Sequence, residues 1–218
     1  RFSVTRGDKS VYDGEILVPF CPESAISGVG IDIGKRDTLI YERELTLPEG
    51  FSRGRVLLHV DACDQLTRIF VNGCEAGSHE GGYLPIELDI TELLRDGANT
   101  LRVEARDAMD TEYPYGKQTN KRGGMWYTKV SGIWQSVWME SVPTDYIKGV
   151  KITPDLIGVD IEVIGGTDEK TVRFEGKEYT FTGEHFRLDV ESPRLWTPED
   201  PYLYGMEIIS GEDKVETY

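Results

Sequence analysis

The sequence lacks long hydrophobic runs, helical periodicity and the short motifs of several enzyme classes. No stretch of about 18 apolar residues occurs, so a membrane-spanning helix is not expected. The nucleophile elbow of serine hydrolases, the phosphate-binding loop and the dinucleotide-binding glycine pattern are also missing. These absences argue against a membrane anchor within the sequence, a nucleotide-dependent enzyme and a serine hydrolase.

Positive charge is scarce. The 218 residues contain 24 Lys and Arg but 39 Asp and Glu, which gives a formal net charge of −15 at pH 7. A negative field of this size repels phosphate backbones and anionic lipid surfaces. Neither a nucleic acid nor a membrane surface is therefore expected as a partner.

Cysteine is also scarce, with only Cys21, Cys63 and Cys74. Their number is odd, and their spacing matches neither a CxxC motif nor a set of metal ligands. We expect buried or half-buried free thiols, which favours a reducing, cytoplasmic location. A disulfide between Cys63 and Cys74 stays open, as does a periplasmic or secreted location. No cofactor is predicted, and a structural or site metal also stays open.

Histidine offers no catalytic arrangement. None of His59, His79 and His185 has a partner at the spacing of a metal site or a catalytic triad. His79 lies in the glycine-rich stretch 77–82, which predicts a turn and a hydrogen-bonding role for the imidazole in a loop.

Apolar and polar residues alternate at every second position along most of the sequence. In residues 55–61, Val56, Leu58 and Val60 fall on one face, and the same pattern recurs in residues 85–91 and 100–106. Such alternation predicts strands with one buried face. Asn72-Gly73 predicts a two-residue hairpin turn because both positions favour positive φ, and residues 91–95 predict one helical turn.

Many short strands separated by turn residues predict an all-β fold in two domains. Residues 1–142 are expected to form an all-β sandwich or a jelly roll, and residues 143–218, with about seven shorter strands, an immunoglobulin-like β-sandwich. The boundary is placed at Pro143 because proline lacks the donor that a strand ladder needs. The sequence does not begin with Met and ends in a strand-like stretch, so we expect a segment of a longer protein.

One long stretch, residues 113–127, has no alternation and is rich in Gly, Tyr, Trp, amide and cationic side chains. Long loops in compact domains are often functional, and this composition suits a hydroxylated ligand. The alternatives are a loop folded over its own sandwich and an interface with another domain. The candidate substrate-binding residues are Lys117, Gln118, Asn120, Trp126 and Asp107, where Asp107 and the nearby Asp110 are expected to fix the base of the loop.

Carboxylates are numerous, but their spacing identifies no catalytic pair. Glu42 and Glu44 lie two residues apart on a predicted strand and therefore share its solvent face. Asp107, Asp110 and Glu112 lie at the mouth of the loop, yet nothing in their spacing marks an acid and a nucleophile. No catalytic residue is predicted in this chain.

Five stretches, in order along the chain, resemble glycoside hydrolase family 2, the family of β-galactosidases, β-glucuronidases and β-mannosidases. Four of them resemble its sugar-binding jelly-roll domain: residues 18–24 with 27–28, residues 70–85 (Phe-Val-Asn-Gly onward), residues 88–94 with 97–99, and residues 126–127 with 131–140 (ending Trp-Gln-Ser-Val-Trp-Met-Glu). The fifth, residues 193–204 (Pro-Arg-Leu-Trp-Thr-Pro-Glu-Asp-Pro-Tyr-Leu-Tyr), resembles the end of its immunoglobulin-like domain.

This resemblance implies a non-catalytic part of a retaining exo-glycosidase. The two catalytic glutamates of the family lie on a TIM barrel that follows these domains. The implied partners are a carbohydrate substrate and that downstream barrel of the same polypeptide, and a homo-oligomer stays open. In the best-known β-galactosidases an acidic residue before the Met-Trp pair contacts the sugar, whereas here Gly124 precedes Met125. Residues 116–118 could replace that contact.

The departure at Gly124 puts the substrate in doubt. A β-galactosidase-like parent is predicted, with a β-glucuronidase or a β-mannosidase as alternatives within the family. A free-standing carbohydrate-binding module and a structural sandwich without sugar affinity are the alternatives outside it.

Overall fold

Short β-strands make up nearly all the regular structure in residues 1–110, 112–121 and 123–218, which are the parts of the chain that the computed structural model describes. The helical segments among these residues are two 3₁₀ turns, Ala25–Ser27 and Thr91–Leu93, and the second confirms the helical turn predicted there. None of the described helices has the length and apolarity that a membrane crossing requires.

The chain divides into two compact units, Arg1–Ser141 and Val142–Tyr218. The strands up to the first boundary are β1 Phe2–Arg6, β2 Lys9–Gly14, β3 Asp37–Thr46, β4 Arg55–Val60, β5 Cys63–Asp64, β6 Leu66–Val71, β7 Cys74–Glu80, β8 Ile86–Asp89, β9 Ala98–Arg106, β10 Gln118–Thr119, β11 Tyr127–Thr128, β12 Gly132–Ile133 and β13 Val137–Val142. The strands of the second unit are β14 Ile147–Pro154, β15 Gly158–Gly165, β16 Glu169–Phe174, β17 Lys177–Thr182, β18 His185–Asp189, β19 Met206–Ser210 and β20 Asp213–Thr217.

The first unit is a jelly-roll sandwich. A six-stranded sheet in the order β2-β1-β3-β9-β6-β7 faces a three-stranded sheet in the order β13-β4-β8, and β12 pairs with β5. Leu39 and Val103 from the first sheet join Val56, Leu58 and Val60 from the second in one buried cluster. The alternation in β4 therefore marks its core face as predicted, and burying each such side chain contributes roughly 1.5–3 kcal/mol.

The turn between β6 and β7 is also as predicted. Asn72 and Gly73 have φ angles of 52° and 81°, and Val71 pairs directly with Cys74. The positive φ at both positions gives the turn a twist that matches the flanking strands.

The second unit is an immunoglobulin-like sandwich of seven strands. A sheet in the order β14-β15-β18 and another in the order β17-β16-β19-β20 enclose Ile161, Val163, Val172 and Ile208. The all-β class, with a jelly-roll sandwich followed by an immunoglobulin-like sandwich, is confirmed.

Two local predictions were wrong. The strand expected from Leu203 starts only at Met206 because Arg194 holds the preceding tyrosines: its guanidinium lies 4.1 Å from the Tyr202 ring centroid, and its backbone N–H donates to the Tyr204 hydroxyl. The turn expected at residues 77–82 is also largely strand, since β7 runs to Glu80 and His79 pairs with Thr67.

The thiols differ in exposure more than the sequence indicated. Cys63 is buried and Cys21 half-buried, but Cys74, at the hairpin, is exposed. All three are free, so the disulfide left open between Cys63 and Cys74 does not form. Burial raises the pKa of the Cys63 thiol to about 12.

Candidate functional site

The loop that follows β9, residues 107–127, contains the predicted ligand-binding stretch 113–127 and closes on a two-stranded ribbon. β10 and β11 pair in parallel with Gln118 opposite Tyr127, and the Tyr127 N–H donates to the Lys117 carbonyl over 2.8 Å. A further bridge joins Gly123 to Trp126. Thr111 and Arg122 of this loop lie outside the described residues.

Lys117 and Gln118 are neighbours in sequence but differ in environment. Lys117 is exposed, and its ammonium group has no hydrogen-bond or ion-pair partner among the described residues. The Gln118 amide is used inside the loop: its nitrogen donates to the Tyr115 carbonyl over 2.8 Å, and its oxygen accepts from the Val130 N–H over 2.6 Å. Lys117 is therefore available to a ligand, whereas Gln118 braces the ribbon that carries it.

Asn120 and Trp126 lie on the exposed side of the ribbon. The Asn120 side-chain oxygen is 3.4 Å from the Lys129 ammonium. Trp126 is 51% exposed, between Met125 and Tyr127, which are 64% and 66% exposed. Three consecutive exposed apolar side chains form an apolar patch, a feature that is typical of contact surfaces.

A buried group of carboxyl side chains lies at the base of the loop. Asp107 accepts a hydrogen bond from the Met109 N–H over 2.8 Å, and its second oxygen lies 3.1 Å from the Ser131 hydroxyl. The same hydroxyl lies 2.7 Å from a Glu23 oxygen. Asp110 caps the next turn by accepting from the Glu112 N–H over 3.2 Å.

Ser131 connects two acids with a single hydroxyl hydrogen. The hydroxyl can donate to only one carboxylate, so the other contact is a hydrogen bond only when that carboxyl group holds a proton. Burial raises the pKa of both Glu23 and Asp107, against hydrogen bonds from Ser131 that lower them. The geometry and the charge environment both favour one retained proton in this group.

Asp64 is the most perturbed acid of the site. It is 3% exposed, and burial raises its pKa to about 7, with a further rise from the Asp107 carboxylate and an opposing hydrogen bond from the Gln118 side chain. Its Oδ1 has no hydrogen-bond partner among the described residues and packs against Gly82. Sequence reasoning did not single out Asp64 because its neighbours at the site are remote along the chain.

One buried cation partly offsets these acids. Lys129 is 4% exposed, and its ammonium donates to the Ile33 carbonyl and lies 3.0 Å from Asp32. Its charge lowers the pKa values of Glu23 and Asp107. No group of three His, Cys, Asp or Glu side chains with metal-binding geometry occurs among the described residues.

The arrangement offers exposed groups that can bind a ligand. Asp64 and Asp107 are buried and Glu23 is half-buried, whereas an acid and a nucleophile in a glycosidase must reach a scissile bond. The exposed groups among the described loop residues include two cations, Lys117 and Lys121, and a set of aromatic and apolar faces. A cavity of about 860 Å³ in the first unit lies elsewhere, between residues 15–19 and β13, and none of the described loop residues lines it.

Comparison with known proteins identifies related sequences and folds. The β-glucuronidase of Rattus norvegicus is 31% identical over 204 residues, which cover 77% of this chain and 32% of that protein. The β-galactosidase of Thermoanaerobacter pseudethanolicus is 25% identical over 202 residues, 77% of this chain and 25% of that protein. A β-glucuronidase from an uncultured Clostridium species shares the fold, with a TM-score of 0.73, 21% identity, and 99% of this chain but 42% of that chain covered.

Two family models match adjacent parts of the chain and identify its family. The chain spans a quarter to a third of the length of the two curated relatives. Residues 30–143 match the sugar binding domain of glycosyl hydrolases family 2, and residues 144–218 match a second model described as glycosyl hydrolases family 2. The chain therefore belongs to glycosyl hydrolase family 2.

Proposed function

We propose that this chain is the non-catalytic N-terminal part of a retaining exo-glycosidase, where it supports and helps line the site of carbohydrate hydrolysis. The observation that carries the proposal is the pair of family matches over residues 30–143 and 144–218. The burial of Asp64 and Asp107 and the half-burial of Glu23 support a non-catalytic role. A TIM barrel of the same polypeptide would supply the two catalytic glutamates.

The proposed substrate is a β-glucuronide, with a β-galactoside as the second candidate. Identity to the rat β-glucuronidase exceeds identity to the bacterial β-galactosidase, 31% against 25%. Lys117 adds a physical reason, because an unpaired ammonium group suits the carboxylate of a uronic acid better than it suits a neutral hydroxyl.

The loop residues then divide by role. Lys117, Asn120 and Trp126 are exposed, so we assign them to direct contact, with the Trp126 ring covering an apolar sugar face. Gln118 and Asp107 are hydrogen-bonded inside the loop, so we assign them to positioning.

In the full-length protein, Lys117→Ala is expected to lower kcat/KM for a nitrophenyl glucuronide by about tenfold or more, because a charged hydrogen bond contributes about 1.5–3 kcal/mol. The melting temperature should stay near that of the wild type, since the Lys117 ammonium has no partner among the residues that the structure describes. Gln118→Ala should lower both kcat/KM and the melting temperature, because the Tyr115 carbonyl, the Val130 N–H and the Asp64 carboxylate each lose a hydrogen bond. Lys9→Ala, at an exposed lysine on β2, is the matched control and should change neither. Unchanged kinetics in Lys117→Ala would refute its proposed contact.

We also propose that residues 1–142 and 143–218 are separate domains. The first unit and the second have their own buried clusters, and the family matches change at residues 143 and 144. A protease recognition segment inserted after Thr144 should allow cleavage into two pieces that each unfold cooperatively in urea. A piece that shows β-structure and a cooperative transition only while joined to the other would contradict the division.

A further inference from the structure

Trp138 is an exposed tryptophan that its neighbours hold in one orientation. It lies on β13, is 44% exposed, and stacks on His59 of β4 with ring centroids 3.9 Å apart and planes 10° from parallel. Its indole N–H donates to Asp61 over 3.0 Å. One face and one edge of the ring are thus occupied, and the exposure falls on the opposite face.

His59, which supports the indole, is itself fixed. Its Nε2 lies 3.0 Å from a Glu140 oxygen and its Nδ1 lies 3.8 Å from a Glu87 oxygen, while only 12% of its side chain is exposed. We call Trp138, His59, Asp61, Glu87 and Glu140 the Trp138 platform. A ligand that uses a ring held this way orders little of the protein on binding, so less of the contact energy is lost.

The chemistry of the platform suits a neutral hydroxylated ring. A flat indole face covers the apolar C–H surface of a pyranose, and Asp61, which lies at the edge of the indole, can accept a hydrogen bond from a sugar hydroxyl through its second oxygen. Arg55, on the same strand as His59, is paired with Asp89 at 2.7 Å. Asp61 lies at the indole edge, Glu87 and Glu140 lie beside His59, and the chain carries a charge of −15, so a phosphate or a uronate would be repelled.

We propose that the Trp138 platform is a binding site for a neutral β-pyranoside. The platform shares no residue with the loop at residues 107–127, and the proposal does not depend on the role proposed for that loop. It lies within residues 30–143, the stretch that matches a sugar binding domain. The platform and Lys117 are expected to select different sugars. The platform binds a neutral sugar and repels an anionic one, whereas Lys117 favours the anionic one.

The test is a titration of this 218-residue chain, followed by the indole N–H resonances in NMR. Methyl β-D-glucopyranoside is expected to shift the Trp138 resonance with a Kd on the order of 1–10 mM, as a single stacked ring allows. Methyl β-D-glucuronide should bind at least about tenfold more weakly because the carboxylates repel it. Trp196→Ala is the matched control, since Trp196 is 57% exposed in the second unit and should be dispensable.

Two variants distinguish stacking from a loss of folding. Trp138→Ala should abolish the response of the amide signals around β4, and Trp138→Phe, which keeps a flat ring, should retain part of it. If neutral sugar leaves the Trp138 resonance unmoved, or if the glucuronide binds as tightly as the neutral sugar, the proposal is overturned. It is also overturned if the chain self-associates and Trp138→Ala prevents that association, because the platform would then be an interface between copies.

Discussion

The stability of the first unit is expected to fall as the pH rises from about 5 to 8.5, and Asp64→Asn is expected to remove the larger part of that fall. The pKa of Asp64 is raised in the folded state from 3.8 to about 7, first by burial and then by the Asp107 carboxylate. The folded chain therefore holds this proton more tightly than the unfolded chain does. The stabilisation from this proton is complete below the pKa that Asp64 has in the unfolded chain. It is lost as the pH rises through the pKa that Asp64 has in the folded chain.

The expected change in the free energy of unfolding follows from the pKa shift of Asp64. Each pKa unit corresponds to about 1.4 kcal/mol, so a shift of roughly three units gives an upper value of about 4 kcal/mol. Burial also raises the pKa of Glu23 and of Asp107, which adds to the fall in stability with rising pH. Asn at position 64 keeps an oxygen for the hydrogen bond from Gln118 and never ionises, so the variant should be more stable than the wild type at pH 8.5.

Urea unfolding at a series of pH values, followed by tryptophan fluorescence, measures this effect. Glu92→Gln, which neutralises an exposed carboxylate of the same unit, is the control and should keep the wild-type profile. A free energy of unfolding that falls equally with pH in Asp64→Asn and in the wild type would show that Asp64 is not the group responsible.

Gly132→Ala is expected to destabilise the first unit by about 3 kcal/mol or more, because backbone strain and overpacking act together. Gly132 has a φ of 69°, and a Cβ there would overlap the Tyr41 hydroxyl and lie 2.8 Å from the Leu39 Cδ2. Tyr41 is 6% exposed, and its hydroxyl accepts the Ile133 N–H, so it cannot move aside without losing contacts.

A matched glycine separates the two causes. Gly97 has a φ of 83°, and a methyl group at this position would have no neighbouring atom within 4 Å, so Gly97→Ala reports the backbone strain alone, about 1 kcal/mol. Adding Tyr41→Phe to Gly132→Ala should recover part of the loss by removing the hydroxyl. Equal urea midpoints for the Gly97 and Gly132 variants would mean that the contact with Tyr41 carries no energy.

Local alternation of apolar and polar residues predicted most of the fold, because most strands present one face to the core and the other to solvent. The strand β17 was not predicted: only Tyr179 and Phe181 mark its buried side, and the turn before it places Glu175 at a φ of 49°, a position where Asn or Gly is the usual signal. Sequence patterns that depend on common turn residues miss such hairpins.

The site was harder to predict than the fold because its contacts are distant along the chain. Ser131 meets Glu23 across 108 residues and Asp107 across 24. Composition identified the loop and its exposed groups, and the contacts proposed for Lys117, Asn120 and Trp126 stay predictions. The internal use of the Gln118 amide could not be read from composition, since a glutamine that braces a loop and one that binds a ligand look alike in sequence.

The unequal exposure of the three thiols gives the chain a single practical attachment point. A maleimide reacts with the thiolate, which burial suppresses at Cys63 and disfavours at Cys21, where burial also raises the pKa. Cys74 projects from the hairpin after Asn72 and Gly73, away from the buried cluster. Brief treatment near neutral pH would therefore place one fluorophore or one surface tether at a defined position, without any cysteine having to be removed.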